Sequence, residues 1–144
     1  MLVEYEQVST IEEEKAVIKA VAKTSDIQNA IELLEGNAGG IAVVNGGSTY
    51  ICKQNAIYYI ESVDKRTYVY TKDDCYETKE RLYELEESLG IFCARVSKSM
   101  VVNLKKVQNV TSEFGGRMVA TMLNGEELVV SRSYVKDIKR RLGL

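Results

Sequence analysis

Arg95, Ser97, Lys98 and Ser99 fall within five positions, and Ser131, Arg132, Ser133 and Tyr134 form a second polar cluster just ahead of Lys136. Guanidinium, ammonium and hydroxyl groups at this density are donors suited to phosphate oxygens and to the acceptor edges of bases. Charge is sorted along the chain in the same sense. Residues 91–144 carry 10 Lys/Arg against 4 Asp/Glu, net +6, whereas residues 1–90 carry 9 against 17, net −8. The whole-chain charge of −2 therefore hides a basic module with an acidic companion. Phosphate attracts one half and repels the other, which would orient the chain on a nucleic acid.

Other chemistries are poorly supplied. The sequence has no histidine, and Cys52, Cys75 and Cys93 are widely spaced with no Cys-x-x-Cys pair. Zinc sites of the Cys/His kind and histidine-based acid/base chemistry are thereby excluded, and no metal or cofactor is expected. The plain reading of each cysteine is a small buried apolar residue, with redox sensing as the alternative. Glu61 has no acid/base companion, so the chain reads as a non-enzyme. Residues 36–47 are Gly-rich but lack the Walker lysine and the dinucleotide spacing, so they read as a turn. Tyr58, Tyr59, Tyr68, Tyr70 and Tyr76 invite comparison with a base-stacking platform, yet in alternating strands such residues form cross-strand packing pairs.

The elements that must position the polar clusters are mostly strands. At 144 residues and 45% hydrophobic content the chain is one ordinary domain with an extension. It has neither an apolar run of membrane-spanning length nor a signal-peptide plan, so a cytoplasmic protein is expected. There is no proline, which leaves turns to Gly, Asn, Asp and Ser. Residues 2–8 (LVEYEQV) alternate apolar with acidic and predict a half-exposed strand; residues 15–22 (KAVIKAVA) fit a strand or a helix, and Val17, Ile18 and Val21 beside the following cap signal favour a strand. Ser25 with Gln28 fits a capping box for a short helix carrying Ile27, Ala30, Ile31 and Leu34 on one face and stopped by Gly36. Asn45-Gly46-Gly47 predicts a hairpin from residues 39–48 into a strand at 49–53.

Residues 56–63, 67–71 and 74–77 then read as consecutive strands. A helix follows from about residue 78, with Leu82, Leu85, Glu86 and Leu89 on one side and Gly90 at its end. Residues 92–96, an apolar stretch closing on Asn103, and residues 107–113, 118–123 and 127–130 predict further strands, joined in part by Gly115-Gly116 and Asn124-Gly125. Ser133 is expected to cap a last helix with Val135, Ile138 and Leu142 inward and Lys136, Lys139, Arg140 and Arg141 as a basic face. Asn103 reads as a residue satisfying local backbone groups. The fold class is α+β, mainly β.

From about residue 56 to 144 the sequence resembles a LytTR-type DNA-binding domain of the LytR/AlgR regulators, the output module of many bacterial response regulators. The resemblance is carried by Ile57-Tyr58-Tyr59-Ile60-Glu61 and by Leu82-x-x-Leu85-Glu86-x-x-Leu89. It continues in Phe92-x-x-Arg95-Val96-Ser97-Lys98-Ser99-x-Val101-Val102-Asn103-Leu104-x-x-Val107, and in Leu123-Asn124-Gly125 running into Val130-Ser131-Arg132-Ser133-Tyr134-Val135-x-x-Ile138-Lys139. It implies an antiparallel β fold with short helices that enters the major groove of double-stranded DNA through loops. Three regions would face DNA: the loop after the first strand, with Lys65, Arg66 and Thr67; the turn at Ser97, Lys98 and Ser99, with Arg95 beside it; and the loop at Ser131, Arg132 and Tyr134, with Lys136 holding phosphate.

Arg132 is the best base reader of this set, because a guanidinium can bond O6 and N7 of guanine together, whereas Lys98 acts as a point charge. The sequence departs from the family where many members have histidine and this chain has Ser97. No receiver domain is expected within these residues, because about 45 of them cannot hold a doubly wound unit of about 120. The LytTR-like domain is assigned to residues 51–144, and residues 1–50 to an acidic strand-helix-hairpin extension. So short a piece must pack on something, and a homodimer is the first expectation for it, a sensor or membrane-protein partner the second. The leading reading is a sequence-specific transcriptional regulator; the competing one is a protein-interaction or small-molecule sensing module, and salt dependence of binding separates them.

Overall fold

The computed structural model describes residues 1–35, 40–90 and 92–144. Two antiparallel sheets carry the fold. The larger is built from β1 (Gly40–Asn45), β2 (Ser48–Lys53), β3 (Tyr59–Val63), β4 (Arg66–Tyr70), β5 (Cys75–Thr78), β6 (Cys93–Ser97) and β7 (Met100–Asn103), in the order β2-β1-β5-β4-β3-β7-β6. The smaller has β8 (Val107–Ser112), β9 (Met118–Met122) and β10 (Glu127–Val130), in the order β10-β9-β8. Three helices accompany them: α1 (Ser25–Leu34), α2 (Leu82–Ser88) and α3 (Arg132–Arg141).

Alternation along the central strands explains the layering, because successive side chains leave a strand on opposite faces. Tyr59, Ala94, Val96 and Val102 point into a core shared with Met118, Ala120, Met122, Val130 and Ile138, that is, with the small sheet and α3. Their neighbours Ile60, Cys93 and Val101 point the other way and meet Val69, Leu82, Leu85 and Leu89 under α2. The centre of the large sheet is thus buried on both sides, which is why residues 57–60 and 101–102 read as unbroken apolar runs. Tyr59 and Tyr70 face each other across β3 and β4 and stack with centroids 4.3 Å apart, a packing pair as expected. Asn103 is 3% exposed; its Nδ2 donates to the Ile57 carbonyl at 2.9 Å and its Oδ1 accepts from Lys105 N at 3.1 Å. Cys52 and Cys93 are buried, and burial pushes both thiols up, Cys93 to about 12, while Cys75 is exposed.

Several expectations hold at residue level. Asn45 pairs with Ser48 and leaves Gly46 and Gly47 at φ 58 and 81, the paired positive values of a tight hairpin turn. Gly90 follows α2 at φ 71. The hairpin β1–β2 joins the large sheet where Val44 pairs with Glu77, so the sheet runs on continuously through residue 50.

Others are corrected. Neither residues 2–8 nor residues 15–22 form strands, and Tyr5, Val17 and Val21 are 87%, 70% and 109% exposed. Alternation states which face a strand would bury, but a strand needs an edge to pair with, and none lies alongside. The N-cap of α1 is Thr24, whose oxygen accepts from Ile27 N at 3.3 Å, so Ser25 is the first helical residue. Gln28 reaches forward to Glu32 at 2.7 Å instead of back to the cap. Gly36, expected to stop this helix, lies outside the described residues. At the other end Ser131, not Ser133, is the N-cap of α3. In the N-terminal segment Ile11, in a 3₁₀ turn at Ile11–Glu13, packs against the cluster that includes Leu142.

Candidate nucleic-acid interface

The site is assembled by strand register. Val63 pairs with Arg66, so Asp64 and Lys65 form the β3–β4 turn, with φ 50 and 64. These are left-handed values without a glycine, at a cost of roughly 1–2 kcal/mol for each side chain that lacks a local bond to offset it. The result is a turn that presents the exposed Lys65. β7 runs antiparallel to β3 with Glu61 opposite Met100, which brings the β6–β7 turn to the same end of the sheet. Ser62 N donates to Ser99 O at 2.8 Å and locks the two turns together.

A second tie extends the row. Ser131 N donates to Val96 O at 2.8 Å, so the start of α3 sits beside the β6–β7 turn. The path β3-β7-β6 and the loop before α3 therefore end in three adjacent polar turns. These are the three regions singled out from sequence, brought together over residues 64–136.

Inside this row the side chains divide into exposed groups and scaffold. Lys65, Lys98, Ser99, Arg132 and Lys136 are exposed. Arg66 is exposed and lies 3.9 Å from the Glu77 carboxylate, an open pair of little strength. The Ser131 side chain accepts no capping bond from α3, which leaves its hydroxyl available for another partner. Tyr134 is half-buried and packs on the core, supporting the loop from behind.

Three expected contacts are placed differently. Thr67 is 6% exposed, paired between Ser62 and Thr78; it follows an outward Arg66 and so must point inward. Arg95 is consumed by structure, its Nη2 and Nε donating to Glu86 Oε2 at 2.7 and 3.0 Å and its Nη1 to the Lys98 carbonyl at 2.7 Å. It ties α2 to the turn and aims Lys98 outward. Ser97 Oγ accepts from Ser99 N at 3.2 Å, shaping the same turn.

The C-terminal cations are also less free than their count suggests. Arg140 and Arg141 both hold Asp137, at 2.5 and 3.0 Å, and the hydrogen bond from Arg140 keeps that carboxyl below the usual range. They stand roughly 12–14 Å along the helix from Arg132, at 1.5 Å per residue. Two cations missed in the sequence occupy the opposite flank. Lys79 and Arg81 line an open cleft with Lys65 and Arg66, with Glu77 and Glu80 among its walls. They were masked by the acid-rich stretch around them; only the pairing of Thr78 with Thr67 carries them to the row.

The resulting surface is a shallow ridge of turns studded with Lys65, Arg66, Lys79, Arg81, Lys98 and Arg132. Among the described residues no group of His, Cys, Asp and Glu side chains is arranged to hold a metal ion, and no helix is long and apolar enough to cross a membrane.

Comparison with known proteins bears on the fold and the family. The chain is 30% identical over 96 residues to a transcriptional regulatory protein LytR of Staphylococcus aureus, covering 66% of this chain and 39% of that protein. It is 26% identical over 96 residues to a sensory transduction protein LytT of Enterococcus faecalis, covering 66% and 40%. An uncharacterised HTH-type transcriptional regulator of S. aureus is 32% identical over 101 residues, covering 66% of this chain and 69% of the relative. The chain thus spans about 40% of the length of the first two. Among solved structures, the LytTr DNA-binding domain of a Bacillus cereus methyl-accepting/DNA response regulator superposes with TM-score 0.70 at 24% identity, over 74% of this chain and 98% of that one, and shares the fold. With the LytTr DNA-binding domain matched over residues 47–143, the chain belongs to that family.

Proposed function

We propose that the protein is a sequence-specific transcriptional regulator that reads the major groove of duplex DNA through the ridge of turns. The observation that carries this reading is the pair of 2.8 Å backbone bonds, Ser62 to Ser99 and Ser131 to Val96, which gather three polar turns on one end of a rigid sheet. Lys65, Lys98, Lys136 and the flanking Lys79 and Arg81 supply phosphate contacts, and their charge drives association. Arg132 supplies base readout, worth about 1–3 kcal/mol for a bidentate contact to guanine. Arg95 and Ser97 act as positioning residues for Lys98.

Residues 1–35 serve a second role in this reading. Leu33 and Leu34 on α1 are 67% and 52% exposed, and α1 has no buried residue. A two-fold pairing of this segment between two copies covers that face and sets two ridges on paired half-sites.

The test is selection of duplexes from a random-core pool by the wild-type protein, followed by affinity measurements on the recovered and scrambled duplexes at two salt concentrations. Affinity for both should fall steeply with salt, by close to one log–log slope unit per phosphate contact, with a preference for the recovered sequence that Arg132→Ala removes. Binding that ignores sequence in the wild type, or a preference that survives Arg132→Ala, refutes the assignment.

A further inference from the structure

The ridge does not stop at Arg132. Val130 at the end of β10 pairs with Met118 at the start of β9, and Met118 also pairs with Ser112 at the end of β8. The β8–β9 turn therefore projects from the same end of the molecule as the loop before α3. It is a closed turn: Glu113 N donates to Arg117 O at 2.9 Å, and Gly115 and Gly116 take φ 88 and 82, leaving Phe114 at the apex. The turn also touches the reading loop directly. A Cβ placed on Gly116 would meet Cδ and Cγ of Arg132 at 3.0 and 3.1 Å, so the stem of Arg132 lies on the glycine face of this hairpin.

Phe114 is 100% exposed. Its neighbours along the turn, Ser112, Glu113, Gly115 and Gly116, are polar or small, so Phe114 is the apolar side chain that this turn presents. Beside it, Arg117 is 59% exposed and only loosely held, 3.9 Å from Glu113, a pair that a phosphate can displace.

We infer that the β8–β9 turn is a further DNA contact, with Phe114 entering the minor groove next to the segment held by Arg132 and Arg117 bound to the flanking phosphate. An aromatic side chain at the tip of a narrow turn suits a groove about 6 Å wide, where apolar wedges contact or part the base steps. The turn lies one to two strand spacings beyond β10, roughly 7 Å, which corresponds to about two base pairs along the duplex. Gly116 couples the two loops, because a side chain there would push the Arg132 stem away by a few tenths of an ångström. This inference rests on the DNA-reading ridge and lengthens it by one turn.

The experiment uses the full chain and the duplexes recovered by the wild type. Phe114→Ala should lower affinity ~10-fold, the scale of losing one aromatic–base contact. Arg117→Gln should weaken recovered and scrambled duplexes alike and reduce the salt slope by about one. Hydroxyl-radical footprints of both variants should retreat by about two base pairs on one side only. Thermal unfolding at the wild-type midpoint verifies that the exposed turn, and not the fold, was changed. Affinity, slope and footprint equal to wild type in both variants overturn this inference while leaving the ridge intact; a wild type that recovers no duplex overturns the ridge itself.

Discussion

The central strand β3 and the N-terminal residues 2–8 carry the same kind of message to different ends. Residues 2–8 alternate and β3 opens on an apolar run, both of which suit a strand, but β3 lies between β4 and β7 and places Tyr59 and Ile60 in two separate cores. Residues 2–8 have no neighbouring edge and stay exposed. The two helices α2 and α1 repeat the contrast: Leu82 and Leu85 of α2 are buried against β strands, whereas α1 has an apolar face and nothing buried on it. A periodic apolar face is thus a capacity for burial, and a partner within reach converts it into stability.

The sharpest way to break this comparison is to truncate one leucine in each helix. Leu85→Ala should destabilise the protein by about 2–5 kcal/mol in urea unfolding, because Leu85 is fully enclosed and leaves a cavity. Leu33→Ala should stay within about 0.5 kcal/mol in dilute monomer, since Leu33 is 67% exposed. Equal losses would show that α1 is docked on the sheet as firmly as α2.

A middling effect is expected where polar groups do the joining. Asn103→Ala removes the buried bond to the Ile57 carbonyl and the cap on the following turn, and should cost about 1–3 kcal/mol. A near-neutral result would mean that the end of β7 and the segment leading into β3 hold together without this tie.

The smallest effect concerns α3, whose C-terminal cations fold back on Asp137. Because that carboxyl is depressed in the folded state, its stabilisation is fully present above the ordinary aspartate value of 3.8. It is lost as pH falls from there through the folded value. The difference in melting temperature between the wild type and Asp137→Asn should therefore shrink on acidification below that point and be constant near neutrality. The groups are substantially exposed, so the change is small. A difference that grows toward acid would mean the carboxyl is not the group that Arg140 stabilises.

Much of the fold was legible in single residues. Asn45-Gly46-Gly47, Gly90 and the apolar runs at residues 57–60 and 101–102 mark a hairpin, a helix end and the central strands because they state local preferences. Sequence order could not say which donors would be spent. Arg95, Ser97 and Thr67 look as available as Lys98 on paper, yet Glu86, Ser99 N and the inward face of β4 claim them. Lys79 and Arg81 were hidden for the converse reason, since their neighbours along the chain are acidic while their neighbours across the sheet are Lys65 and Arg66.

Residue type and spacing alone determined that the chain has a basic, loop-rich reading half and a mainly antiparallel β fold, because periodicity and turn chemistry act over a few residues. Only the tertiary structure decided that turns separated by up to about 70 positions stand in one row, that Gly116 underlies Arg132, and which cations remain free. Those outcomes depend on strand register and on competition between side chains for nearby partners, and both are set by neighbours across the sheet.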